Sequence, residues 1–414
     1  MGTRLAAILL VAALAAGGCT RRHCVPESLS SQHLVDLSAE PNLHAPADPH
    51  VIREVESEYR KKIDARRPPN ARPYSFLALS GGGMYGAFGV GVLSGWTETG
   101  ERPVFDVVTG ISTGGLIATY AFLGPKYDER LRTTMIGITR ADILRGRPAV
   151  NLPFANSLYT SRPMAKLIEK EVTPETLAEV AAAHAEGRRL YIGTTNIDTH
   201  KLVIWDMGAI ASRGTCESAD LYRKIVLASS SVPGVFPPVK LEVEVDGQRY
   251  DELHVDGGVS DEVIFRAFMV ADLNRSAGMP SAYSPVGSTL YVVSNGKLYA
   301  DPNCTRPRFT RMVSQSLRSI IYGKTRDELY RIYLNCLETG VDFRLTSVRQ
   351  DFALSSQTGG LAISPEDQHR LYEEGYRIGS QTRMMGAGWR DLPPGTDPKE
   401  QVMPRAGTRF ASPK

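Results

Sequence analysis

Two short apolar runs, residues 74–79 and 104–111, each end at glycines and lead into stretches compatible with helix, about 84–97 and 115–123. Apolar runs this short, bounded by glycine, fit strands buried on both faces of a parallel sheet. Two strand-turn-helix units so close together predict an α/β core. Further strands are expected at 190–195, 202–205, 249–255 and 289–294, with helices near 162–171, 174–186, 219–229, 262–274 and 365–385. Between the last two, residues 308–337 carry Val313, Leu317, Ile320, Ile321, Leu329, Ile332, Tyr333, Cys336 and Leu337 at helical spacing, a face expected to pack on the sheet. No repeat of any period is visible.

The ends of the chain have a different texture. Arg4, a nearly unbroken apolar stretch over 5–16, and the small residues Ala16, Gly17 and Gly18 read as an export signal over residues 1–18. The stretch is shorter than the roughly 20 apolar residues needed to cross a bilayer. Cys19 directly after it resembles the lipobox of bacterial lipoproteins, although Ala16 stands where that pattern usually has Leu. The resemblance implies cleavage before Cys19, its acylation and a membrane anchor. Thr20 in place of Asp resembles lipoproteins sorted to the outer membrane, which here means facing the periplasm. The alternative is an ordinary secretory signal in which Cys19 is incidental. Residues 19–72 are polar and Pro-punctuated, with one charged helical stretch at 51–63, and read as a tether. A folded domain is expected over 73–390 and a flexible tail over 391–414.

Composition narrows the field modestly. A net charge of +3 with 22% charged residues gives no phosphate-backbone footprint, so nucleic acid is not an expected partner. With Cys19 lipidated, Cys24, Cys216, Cys304 and Cys336 remain, an even number that permits disulfides after export. Cys336 on an apolar stripe also reads as a small hydrophobe. No CxxC pair or His/Cys cluster occurs, so no metal site is expected.

Chemistry concentrates in three places. Ser80-Gly81-Gly82-Gly83-Met84-Tyr85-Gly86 follows the first strand, where several amides can converge on a negative oxygen. Gly81, Gly83 and Gly86 satisfy GxGxxG, but the next strand ends at Ser112 rather than at an acid able to hold a ribose, and no GK[ST] follows. The second place is Gly110-Ile111-Ser112-Thr113-Gly114, a GxSxG at a strand-to-helix turn that would project the Ser112 hydroxyl. The Thr113 amide, with Gly82 or Gly83, would complete a two-donor oxyanion hole. A plain helix cap is the competing reading of Ser112.

A serine nucleophile needs a base. After any plausible Asp only His369 follows in chain order, and it lies in a charged stretch that reads as a solvated helix face; His200 and His254 read as structural. The third place, His254-Val255-Asp256-Gly257-Gly258, offers a carboxylate at a strand end, although alone Asp256 would more often be a turn-forming residue.

Together the glycine loop, GxSxG, Ser229-Ser230-Ser231-Val232-Pro233-Gly234-Val235-Phe236-Pro237-Pro238 and Asp256-Gly257-Gly258 resemble the patatin-like phospholipase family over residues 74–385. The resemblance implies a three-layer α/β/α fold with a mostly parallel central sheet and lipid ester hydrolysis by a Ser/Asp dyad without histidine or cofactor. Residue by residue it makes Ser112 the nucleophile, Asp256 the base, and Gly81, Gly82 and Gly83 the lining of the oxyanion hole. Gly86, Gly110, Gly114, Gly257 and Gly258 are its motif glycines. Tyr85 departs from the pattern, which commonly has Arg or Lys there. The expected activity is phospholipase A or lysophospholipase-type hydrolysis through an acyl-enzyme, on a lipid or acyl-ester substrate. The alternatives are an acyltransferase on the same dyad and a lipid-binding lipoprotein without turnover. Residues 148–158 and 232–239 offer apolar material for an acyl-chain channel.

Overall fold

The computed structural model describes residues 49–68, 71–147, 156–245, 248–279, 282–301, 305, 307–355, 363–381 and 388–394. The export signal, Cys19, Cys24, Cys304, the first part of the tether, most of the tail and residues 148–155 lie outside them. The chain divides into two units. One comprises Ala45–Tyr299 and Ile321–Gln401 and holds the entire sheet; the other comprises Met1–His44, Ala300–Ile320 and Val402–Lys414. The described part of the second unit consists chiefly of the first turns of one helix.

The strands of the main sheet are β1 (Ser75–Leu79), β2 (Val107–Ile111), β3 (Arg189–Asn196), β4 (Lys201–Asp206), β5 (Val239–Val245), β6 (Gln248–Asp256), β7 (Thr289–Ser294) and β8 (Asp342–Ser347). They form one eight-stranded sheet in the order β8-β7-β1-β2-β3-β6-β5, with β4 also on β3. The β8-β7-β1-β2-β3 half is parallel; β4, β5 and β6 join antiparallel. The helices of ten or more residues are α1 (Pro49–Asp64), α2 (Gly86–Glu98), α3 (Thr113–Leu123), α4 (Asp128–Gly137), α5 (Arg162–Glu171), α6 (Pro174–Ala185), α7 (Cys216–Ser229), α8 (Ala267–Ser276), α9 (Phe309–Thr339) and α10 (Pro365–Ser380).

Alternation along β1 builds two cores. Leu77 and Leu79 join one cluster with apolar residues of α2 to α7 and α10, while Phe76 and Ala78 join a second with those of α8 and the later turns of α9. Successive strand side chains point to opposite faces, so the fully apolar run is the signature of a sheet covered by helices on both sides. This is the three-layer α/β/α arrangement expected, with a mostly parallel sheet.

Three departures have physical causes. Strands β5 and β8 went unrecognised because they lie at the two ends of the sheet and alternate apolar with polar residues rather than forming runs: Phe343 and Leu345 are buried, as is Leu241, while Lys240 is exposed. Helix α8 begins five residues later than the expected start at 262, because the intervening backbone is tied elsewhere: the amides of Glu262 and Val263 both donate to the Glu328 carboxylate on α9. In α9 only the later part of the apolar stripe is buried. Leu329, Ile332, Tyr333 and Cys336 are core residues, whereas Val313, Leu317, Ile320 and Ile321 are exposed. Cys216 and Cys336 are free thiols.

Candidate active site

Between the last residue of β2 and the first of α3, Ser112 turns the chain with φ 53° and ψ −123°. For a residue with a Cβ such a conformation costs about 1–3 kcal/mol and persists only where its surroundings impose it. Here they do. A Cβ on Gly110 would stand 2.4 Å from the Gly114 carbonyl oxygen, and one on Gly114 would stand 2.3 Å from that of Leu79, so only glycine lets strand and helix close on the turn. The Ser112 amide donates to Ser229 Oγ at 2.9 Å, and that hydroxyl donates onward to the Gly193 carbonyl at 2.7 Å. The Ser112 side chain makes no cap to α3. Its hydroxyl instead donates to Asp256 Oδ2 at 2.7 Å.

Asp256 is the last residue of β6, whose pairing with β3 sets it opposite Thr194. Its amide donates to the Ser231 carbonyl at 3.0 Å. Its second oxygen, Oδ1, accepts the Gly258 amide at 2.8 Å, so the turn-forming role and the contact with Ser112 coexist in one carboxylate. The residue is 5% exposed. Burial pushes its carboxyl up to about 6, against the hydrogen bonds from Ser112 and Gly258 and the charge of Lys324, all of which favour the ionised form.

The glycine loop is fixed from both sides. Asn295 donates its amide to Ser80 Oγ and its side-chain amide to the Ser80 carbonyl, at 2.7 and 2.8 Å. Gly82 has φ 155°, and a Cβ there would fall 1.8 Å from the Asn295 carbonyl oxygen. Thr113 Oγ1 donates to the Gly83 carbonyl at 2.7 Å and joins the loop to the serine turn. Gly82 caps a single helical turn, Gly83–Tyr85, and Thr113 opens α3. Amides at such first positions have no acceptor within their own helix. Gly81 differs, since its amide donates to the Glu262 carbonyl at 3.2 Å. Tyr85 precedes α2 and packs against the core cluster of that face.

The described histidines singled out by the sequence lie elsewhere. His254 is fully buried, with Nδ1 2.9 Å from Thr194 Oγ1 and Nε2 2.9 Å from Glu252, a satisfied structural residue. His200 is exposed in a turn. The His369 side chain is 61% exposed and its nearest carboxylate is that of Glu373, one turn along α10. At the end of the expected lid segment 148–158, Leu158 and the next residue, Tyr159, donate their amides to the carbonyls of Gly234 and Val235 at 2.9 and 3.0 Å, which pairs the described end of that segment with the 232–239 loop. Phe236 within it is core. Sequence reasoning brought Ser112, Asp256 and the glycines to one place but missed Ser229, Asn295, Glu262, Lys324 and Glu328. For Ser229 the signal was there, inside the triple-serine motif.

The arrangement is that of an α/β protein in which a serine at a strained strand-to-helix turn, beside a glycine loop, donates its hydroxyl to a buried carboxylate. The Patatin-like phospholipase family model matches residues 77–269, and the chain carries a domain of that family. Among solved structures it is similar to VipD from Legionella pneumophila, with 12% identity, 78% of this chain and 68% of that one covered, and a TM-score of 0.39. It is similar also to the type III effector protein ExoU, with 14% identity, 76% and 53% covered, and a TM-score of 0.28. Human GIVD cytosolic phospholipase A2 follows with 11% identity, 77% and 52% covered, and a TM-score of 0.27. The chain thus spans about half the length of the last two. No curated protein matches the sequence.

Proposed function

We propose that the protein is a lipid acyl hydrolase of phospholipase A or lysophospholipase type, working through an acyl-enzyme on Ser112. The patatin-like phospholipase domain supports hydrolysis of lipid esters in general. The observation that carries the dyad is the 2.7 Å hydrogen bond from Ser112 Oγ to Asp256 Oδ2, made where both groups are buried. Asp256 takes the hydroxyl proton as Oγ attacks the ester carbonyl, and the amides of Gly82, Gly83 and Thr113 hold the developing oxyanion. The proton passes from Asp256 to the departing alcohol. Water then attacks the acyl-enzyme, giving its proton to Asp256, and Ser112 leaves with it restored.

Labelling of the purified mature protein with a fluorophosphonate tests this. Ser112→Ala is expected to abolish labelling and esterase activity. Asp256→Asn should lower both by about 10²–10⁴-fold, the range of positioned acid–base groups. His369→Ala should match wild type. Equal labelling of all the variants would end the dyad reading, and inactive His369→Ala would replace it with a triad.

Export and lipidation at Cys19 belong to the same proposal, supported by the apolar stretch and small residues before that cysteine. An anchored enzyme would meet its substrate at raised local concentration. Radiolabelled palmitate incorporated by the wild type and lost in Cys19→Ala is the expected result.

A further inference from the structure

Gly81 and Gly258 are both motif glycines, yet neither has a backbone in the left-handed region that favours glycine. What each supplies is space. A Cβ on Gly81 would stand 2.6 Å from Glu262 Oε2, and a Cβ on Gly258 would stand 2.7 Å from Glu262 Oε1. One carboxyl therefore fills both gaps. The same two positions locate it against the dyad: the Gly81 point is 3.3 Å from Ser112 Cβ, and the Gly258 point is 3.1 Å from Asp256 Oδ1. Glu262 thus reaches between the glycine loop and the turn that follows Asp256, on the side of Gly81 that faces Ser112.

Its backbone is held at both ends. The Glu262 carbonyl accepts the Gly81 amide at 3.2 Å, and the Glu262 amide donates to Glu328 at 2.6 Å. Such anchoring fixes the backbone from which the side chain projects, and the residue is half-buried.

We propose that Glu262 is a third catalytic residue, a carboxylic acid that keeps its proton and donates a hydrogen bond to the substrate carbonyl oxygen as it becomes the oxyanion. The assignment rests on the Ser112–Asp256 reaction proposed above. It supplements the hole, in which the Gly81 amide already has the Glu262 carbonyl as its acceptor. No proton is transferred from Glu262 in the cycle: the serine proton still passes through Asp256, and Glu262 contributes only a donor.

The groups around Glu262 favour the neutral form. Asp256 faces it from the end of β6; Lys324 and Glu328 face it from α9. Lys324 is shared, donating to the Gly258 carbonyl at 2.7 Å and lying 3.6 Å from Glu328. Asp261 next in the chain is paired with Arg266 and Arg331. Burial, with the charge of Asp256, lifts the Glu262 carboxyl to about 8, against the pull of Lys324. Activity should therefore rise with pH as Asp256 ionises and fall as Glu262 does.

The test is the pH dependence of kcat/KM on a soluble p-nitrophenyl ester for wild type, Glu262→Gln and Glu262→Ala, beside the affinity of a trifluoromethyl ketone that mimics the oxyanion adduct. Wild type should give a bell. Glu262→Gln, which keeps an N–H donor at all pH values, should lose the alkaline limb and stay within about tenfold of wild type at the optimum. Glu262→Ala should lose about 10²-fold in kcat/KM and in ketone affinity. A wild-type alkaline limb in Glu262→Gln, or wild-type ketone affinity in Glu262→Ala, overturns the proposal. Ser112→Ala in the same assay separates the two readings: activity surviving there sinks the dyad, whereas a dead Ser112→Ala with an unaltered limb in Glu262→Gln sinks only the role of Glu262.

Discussion

Ser229 Oγ stands between two obligations, accepting from the Ser112 amide and donating to the Gly193 carbonyl. Removing a partner from a buried hydrogen-bonding group costs about 1–3 kcal/mol. Ser229→Ala leaves the Ser112 amide without an acceptor at a turn that is already strained. The expected outcome is a loss of about 2 kcal/mol in urea denaturation, together with a fall in kcat that KM does not share, because the proposed nucleophile Ser112 is displaced while the rest of the site is not. At this scale the sequence was readable wherever chemistry is local. Ser112 is flanked by the glycines that let its turn close, and Asp256 is followed by the glycines of its own turn. Ser229 and Glu262 act across the fold, on Ser112 and Gly81; the triple-serine motif marks Ser229, but nothing beside Glu262 in the chain announces its place.

Helices α2 and α10 pack backbone against backbone. Cβ atoms on Gly91 and Gly95 would stand 2.0 and 2.2 Å from the carbonyl oxygens of Tyr372 and Tyr376. Reciprocally, those on Gly375 and Gly379 would stand 2.0 and 2.1 Å from the carbonyls of Phe88 and Val92. Two glycines four residues apart on each helix thus bring backbone against backbone, and α2 is the helix that leaves the glycine loop. Gly375→Val would force the pair apart. Overpacking of a core typically costs about 1–3 kcal/mol, and with rigid backbone as the obstacle the upper end, about 3 kcal/mol in chemical denaturation, is expected. Esterase activity per folded molecule should fall as well, since α2 carries the loop. Neither spacing had been recognised in the sequence, where glycine in a helix counts only as a weakening residue. Continuous apolar runs revealed the central strands, but the alternating strands at the sheet ends resembled linkers. Helix α9 exposed the reverse error, because periodicity marks an apolar face without saying what covers it.

Among the described residues, burial and hydrogen bonding shift two sets of acids in opposite directions. Asp256 and Glu262 are lifted to about 6 and about 8, chiefly by burial, and the nearby Glu328 is raised for the same reason. Asp367 at the start of α10 is also pushed up by burial, but hydrogen bonds from Ser355 and Arg370 outweigh this and hold it below the usual carboxylate range. The two groups bear on stability with opposite sign. A carboxyl raised in the folded state favours the fold below its unfolded value, and that contribution is lost as pH rises through the folded value. One that is lowered contributes above its unfolded value and is lost as pH falls through the folded one. Stability should therefore decline from a maximum at about pH 5 as Asp256, Glu328 and Glu262 successively ionise around the ammonium of Lys324, and fall again in strong acid as Asp367 is protonated. Thermal melts at intervals between about pH 4 and pH 9 measure this directly. Glu262→Gln, which cannot ionise, should flatten the alkaline decline and leave the acid side unchanged. A wild-type Tm that is level from about pH 5 to pH 9 would mean that these carboxyls are already ionised in the fold, and Glu262 would then have no proton to offer a substrate.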